Sequence, residues 1–154
     1  MRSSLNELEE EANTSTSFRF ITFLSEFAGA LARAGEVADG LAVIEKVLAL
    51  TERIEERWMI VELQRMKGEL LLMQGAPASA AAAEGLFWQA LDGSRRHDAL
   101  SWELRAATSL ARLLRDQGRP AEALTLLQPK HNQFTEGFET IDLKAATALL
   151  DTLR

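Results

Sequence analysis

The run Lys67-Gly68-Glu69-Leu70-Leu71-Leu72-Met73-Gln74-Gly75, followed after a short turn by Glu84-Gly85-Leu86-Phe87-Trp88-Gln89-Ala90-Leu91, sits inside the stretch Trp58 to Leu91. Its apolar residues recur at helical steps on both sides of Gly75, so it reads as a helix, a glycine turn and a second helix. The same design stands once before it and once after it. In each copy a small residue lies seven positions before the turn glycine, with a leucine three after it. The triples are Ala28, Leu31 and Gly35; Gly68, Leu71 and Gly75; Ala111, Leu114 and Gly118. Three copies in one register predict a stack of similar helix pairs. No single pair can bury its own apolar face, so stacking must supply the core.

Before this centre, a helix is expected from Phe18 to Ala34, capped by Ser17, with Phe20, Phe23, Leu24, Phe27 and Leu31 as its apolar stripe. Its partner runs from about Val37 to Arg53, with Leu41, Ile44, Val47 and Leu48 on one face. The second pair begins near Glu56 or Arg57. Phe87 falls twelve residues after Gly75, whereas Ile44 and Leu127 fall nine after Gly35 and Gly118. The second turn therefore carries three extra residues, which accounts for turn glycines 40 and then 43 residues apart. A break at His97-Asp98 precedes the third pair, Ser101 to Gln117 and Pro120 to Gln128, where Pro120 suits a first turn and Pro129 is expected to stop the helix. Lys130 to Thr140 carries two aromatics expected to be buried, Phe134 and Phe138. A last helix spans about Ile141 to Leu153, capped by Thr140, with Leu143, Ala146, Leu150 and Leu153 on one face. Ala28, Gly68 and Ala111 should let the two helices of each pair approach closely. Phe18, Trp58 and Trp102 recur near the start of the first helices, a repetition that points to packing.

Composition narrows the function. The 154 residues fit one domain, with 47% hydrophobic and 26% charged residues, ordinary for a soluble fold. No window reaches the ~18 uninterrupted apolar residues of a membrane span. Glu7 and Glu9 to Glu11 stand where a secretory signal would need an apolar run. Without cysteine there is neither disulfide nor thiolate site, which suits a cytoplasmic location. A net charge of −6 and the lack of a basic cluster argue against nucleic acid. Catalysis finds no footing: there is no phosphate-binding loop and no dinucleotide fingerprint, and the only histidines, His97 and His131, are read as isolated surface residues. No catalytic residue, cofactor or metal site is expected.

The helix pairs resemble tetratricopeptide repeats: a small residue at the eighth position, a large one three later, a turn glycine, then small and large residues on the second helix. The spacings of 40 and 43 exceed the usual ~34, which makes these long-helix variants, and Lys130 stands where Val47 and Ala90 would place a small or apolar residue. The resemblance implies an all-α fold, a right-handed α-solenoid of about three tetratricopeptide-like helix pairs (18–53, 57–94 and 101–128) plus a C-terminal capping helix at 141–153. Residues 17–154 then form the repeat domain and 1–16 a flexible acidic tail. Three segments also resemble the C-terminal repeat region of bacterial adenylate/guanylate cyclase-like proteins and related predicted signalling ATPases. They are Glu62 to Leu71, Ser101 to Leu113, and Phe134 to Thr140 with Asp142-Leu143-Lys144. The cyclase and ATPase parts of those proteins have no counterpart in this sequence, so the resemblance implies a regulatory or docking module of signal transduction rather than an enzyme.

In such stacks the first helices line the concave face, where a peptide or partner helix lies. Counting from the small residues puts Arg33, Arg65, Glu69, Arg105, Thr108, Arg112 and Arg115 on or near it. Two readings follow. The arginines hold an acidic segment of a protein partner, or they pair with Glu62, Glu69, Glu103 and Asp116 along their own helices. The carboxylate clamp of tetratricopeptide domains is not matched, because its lysine and asparagine positions fall on Ser25, Gly29 and Met66. Two further roles remain open: a homodimer covering the phenylalanines of the first helix, and a sensor of a small ligand.

Overall fold

The computed structural model describes residues 19–53 and 57–154, with the side chains of residues 53, 57 and 58 left aside. The acidic tail expected over 1–16, the Ser17 cap, Phe18 and the Trp58 side chain lie outside the described residues. Seven helices and no strand occur among the described residues: α1 at 19–33, α2 Val37–Arg53, α3 Arg57–Gln74, α4 Ser79–Arg96, α5 Leu100–Asp116, α6 Pro120–His131 and α7 Ile141–Leu153. The chain is an all-α helical repeat.

The turns follow from backbone chemistry. Gly35, Gly75 and Gly118 all take positive φ, at 93°, 69° and 76°. After α1 and α5 the closing pattern is the same. The Glu36 and Arg119 N–H groups donate five residues back, to the Leu31 and Leu114 carbonyls, while Gly35 and Gly118 donate three back. This double bond closes a helix whose next residue turns left-handed. The second turn is different. Gly75 donates four back to Leu71, the single-bond form, and the chain runs on through Ala76, Pro77 and Ala78 before α4 begins at Ser79. Two of the three extra residues thus lengthen a turn of another type, and the third lies in α4, where Phe87 stands eight after Ser79 while Ile44 and Leu127 stand seven after Val37 and Pro120. Between α4 and α5 no glycine is present; Asp98 takes the left-handed position at φ 51°, and Ala99 donates five back to Ser94.

Successive helices pack on one another. First helices also meet: α3 touches α5, and α5 touches α7. Ala28, Gly68 and Ala111 are all buried. A Cβ on Gly68 would lie 2.5 Å from Phe87 Cε1, so the glycine is what admits the Phe87 ring between α3 and α4. The second helices carry a matching small position of their own. Gly40, Ala83 and Ala123 each stand four before Ile44, Phe87 and Leu127 and are buried, and a Cβ on Gly40 would meet the Ala28 carbonyl oxygen at 2.8 Å. The core forms two adjoining clusters. One joins Ile21, Ala28, Ile44, Val47, Met59 and Leu63 from α1–α3; the other joins Phe87, Leu91, Leu104, Leu110, Leu127 and Leu150 from α4–α7. Each fully buried large side chain contributes roughly 1.5–3 kcal/mol relative to its exposed state.

Four expectations are corrected. The apolar stripe of α1 is not its core face: Ile21, Ser25, Ala28 and Ala32 are buried, while Phe20, Phe23 and Phe27 are 54%, 65% and 46% exposed. Pro129 does not stop α6, which continues to His131: the proline has no N–H for the Thr125 carbonyl, and the packing of Leu127 and the Lys130–Glu103 pair hold the turn around that missing bond. Phe134 packs on the core as expected, but Phe138 is exposed, its ring tilted against His131 at 6.2 Å. His131 is not an isolated surface residue. It ends α6, with Nε2 2.9 Å from Thr147 Oγ1 of α7. At the end of the stack α7 is capped by Thr140, whose Oγ1 accepts from the Leu143 N–H, and it buries Leu143, Ala146, Leu149 and Leu150. It touches α6 and α5 as α5 touches α4 and α3, so it fills the first-helix place of a fourth pair.

Candidate functional site

The inner faces of α1, α3 and α5 enclose a groove of about 400 Å³. Its floor is apolar, from Met59, Leu63 and Met66, with Trp102 on the α5 side. The charged rim comes from Glu26 and Arg33 on α1, Glu62 and Arg65 on α3, and Arg105 on α5. A smaller hollow of about 110 Å³ continues it towards α7, sharing Arg65 and Arg105 and adding Glu69, Thr108, Ser109, Arg112 and Asp142. First helices line this surface because α3 seats against α5 while the second helices stand outside.

Arg65 is the hub. Its Nε and Nη2 donate to the two carboxylate oxygens of Glu62 at 2.9 and 2.8 Å, a bidentate pair. Nη1 donates to Ser109 Oγ at 3.3 Å and lies 3.5 Å from Glu69 Oε1. Ser109 in turn donates to Glu69 at 2.6 Å. Burial works to lower the Arg65 pKa, but the Glu62 hydrogen bond and the charges of Glu62, Glu69 and Asp142 outweigh it, and the guanidinium is held above its usual value. Arg105 bridges elements, reaching Glu62 at 2.9 Å and Asp142 of α7 at 3.5 Å, and Arg112 approaches Glu69 at 3.4 Å.

The arginines expected on the inner face therefore fall into three groups. Arg65 and Arg105 line the groove and Arg112 the smaller hollow, and all three are paired within the chain, partly along α3 and partly between α3, α5 and α7. Side-by-side packing of first helices puts those carboxylates within reach, a geometry that helical spacing alone does not reveal. Arg115 lines neither hollow and pairs with Asp116 at 2.8 Å. Arg33 lines the groove, is exposed and has no ion pair among the described residues; its guanidinium lies over Gly29, with Nη1 3.2 Å from where a Cβ there would stand. Thr108 is buried and its hydroxyl donates to the Leu104 carbonyl at 2.8 Å. Glu103 has turned elsewhere, to Arg95 of α4 and Lys130 of α6. Glu62 and Ser109 were not among the candidate site residues. The three- and four-residue steps Glu62–Arg65–Glu69 were the available signal for the first; nothing in the sequence marks Ser109. Neither histidine lines the inner groove. Among the described residues no group of three or more His, Asp or Glu is placed to hold a metal ion, and no helix is long and apolar enough to cross a membrane.

A family profile described as Tetratricopeptide repeat matches residues 104–129. The match runs from the second turn of α5 to Pro129 of α6, the third helix pair. The third helix pair is thus similar to a tetratricopeptide repeat. Such repeats generally mediate protein–protein interaction and are typically non-catalytic. A search among curated proteins found no match to the chain. The small-residue and turn-glycine register ties the other two pairs to the matched one.

Proposed function

We propose that the chain is a non-catalytic interaction module whose inner groove receives a peptide segment of a protein partner, with an acidic side chain of that segment meeting Arg33. The observation that carries this reading is the state of the cations. Arg65, Arg105 and Arg112 spend their hydrogen bonds holding α3, α5 and α7 together, whereas Arg33 stands exposed beside an apolar floor with its charge uncompensated among the described residues. A carboxylate there gains a charge-assisted, bidentate contact, and apolar side chains beside it are received by Met59, Met66 and Trp102. The likeness of three segments to the repeat region of bacterial cyclase-like proteins and signalling ATPases supports a regulatory setting in the cytoplasm.

The test is binding of labelled acidic-apolar peptides followed by fluorescence anisotropy, with amidated versions of the same peptides as controls. Arg33→Ala should weaken the acidic peptides by roughly 10-fold, the worth of one charge-assisted hydrogen bond, with the circular dichroism unchanged. The amidated peptides should not respond to the substitution. Equal affinity of both peptide sets for the native chain would overturn the reading.

A further inference from the structure

We infer that α1 is the seat of a two-fold self-association, in which Phe20, Phe23 and Phe27 of one copy pack against the same residues of a second. The three rings are exposed on one side of α1, and those of Phe23 and Phe27 stack on each other, centroids 6.4 Å apart and planes within 6°. No packing within the described fold accounts for them, since the core side of α1 is Ile21, Ala28 and Ala32.

The repeat register says what this surface is for. With Ala28, Gly68 and Ala111 equivalent, Phe20, Phe23 and Phe27 correspond to Ile60, Leu63 and Lys67 on α3 and to Glu103, Ala106 and Leu110 on α5. Apart from Ile60, which lines a hollow beside α4, those positions seat a first helix on the pair before it. Leu63 is buried in the α1–α3 cluster, and Lys67 reaches Glu45 of α2 at 3.1 Å. Ala106 and Leu110 are buried in the cluster shared with α4, and Glu103 bonds Arg95 of α4 at 2.9 Å. The phenylalanines of α1 are thus a stacking surface with no described pair beneath it.

Two occupants from a second copy are conceivable in a stack, and the structure separates them. Head-to-tail stacking would lay α1 on the outer face of α5 and α6, but α7 already covers that face. What is left is α1 against α1. The charges on the helix are self-complementary for that arrangement. Arg19 and Glu26, seven residues apart on the side of Phe23, are both exposed and make no ion pair among the described residues. An antiparallel pairing about an axis near Phe23 sets Arg19 beside the partner's Glu26 and Phe20 beside the partner's Phe27. At their exposures the three rings offer roughly 300 Å² per copy, below the ~800 Å² per partner of a standard interface, so the association is reversible and concentration-dependent.

Light scattering after size exclusion, run on the full chain at low and high micromolar loading, tests this. The mass should rise from 17.0 kDa towards twice that value with concentration. Phe23→Glu should hold it at the monomer value at every loading, with helicity unchanged because the ring is exposed. Arg19→Glu should weaken the dimer, and adding Glu26→Arg to that variant should restore it. A native chain monomeric at the highest loading, a dimer indifferent to Phe23→Glu, or a mass that keeps growing past the dimer would each overturn the two-fold pairing.

Discussion

Glu103 shows how one position is rewritten when its neighbours change. In the second pair the equivalent of Glu103 is Ile60 and the equivalent of Lys130 is Ala90. In the third pair both positions are charged. Glu103 is only 7% exposed and takes Arg95 at 2.9 Å together with Lys130. Burial tends to raise the Glu103 pKa, but the hydrogen bonds from Lys130 and Arg95 and their charges win, and the carboxyl is held below its ordinary value of 4.5. The sign of the linkage follows. A carboxyl that binds its proton less readily when folded stabilises the fold fully above about pH 4.5; the contribution shrinks as pH falls below that and is gone once pH passes the folded value. Glu103→Gln should therefore lower stability by about 2 kcal/mol at pH 7, because the Lys130 ammonium keeps its burial and loses its counter-charge. Urea unfolding at pH 7 and at pH 3 checks it: the gap between native and variant chains should narrow in acid. A gap of equal size at both values would mean that packing, not charge, holds Glu103.

At the scale of the helix, the close approach of α3 and α4 depends on an absent methyl group. Phe87 is fully buried and has nowhere to swing, so Gly68→Ala drives a Cβ to 2.5 Å from its ring and should destabilise the chain by about 1–3 kcal/mol, read from the urea midpoint. Combining it with Phe87→Leu should return part of that loss, which an effect of helix propensity alone would not do, since alanine is the better helix former. This contact was legible in the sequence because the small residue and the turn glycine keep their spacing in three copies. The face of α1 was also written there, but in a quieter voice. The phenylalanines make a convincing stripe, yet the register of Ala28 puts the core at Ile21, Ser25 and Ala32, about 100° around the helix from where hydrophobicity alone placed it. Repeat register outweighs apolar content when a helix is apolar on two sides. Pro129 misled for a related reason. A proline halts a helix when it removes an interior hydrogen bond, but Leu127 and Lys130, one packed and one paired, hold the last turn of α6 around it. In the groove, sequence spacing brought Arg33, Arg65 and Arg105 to one face. It was silent on the lateral reach of Arg105 to Glu62, because that pair depends on how α5 lies against α3.

For the whole molecule the question is what keeps a stack of this kind finite. A repeat array has two ends, each a surface made for a further helix, and an uncovered pair of ends permits unlimited growth. Among the described residues the two outer faces of the stack are unlike. One is covered by α7, which buries Leu143, Leu149 and Leu150 and is tied to α5 by Arg105–Asp142; the other shows phenylalanine rings. Only an uncapped copy could accept α1 head to tail. Leu150→Asp places a charge in the seam between α7 and the pair below it, where burial without a partner is untenable. Because α7 packs on α5 and α6 and not on α2 to α4, it should undock while the inner helices stay folded, losing the roughly 1.5–3 kcal/mol of each buried leucine. Hydrogen exchange should then quicken in α7 and leave α3 to α5 protected. Light scattering should show species beyond the dimer, and Phe23→Glu in the same chain should abolish them. If the undocked variant grows no larger than the native chain, the outer face of α5 and α6 does not accept α1, and the finite size of the assembly has a cause other than the cap.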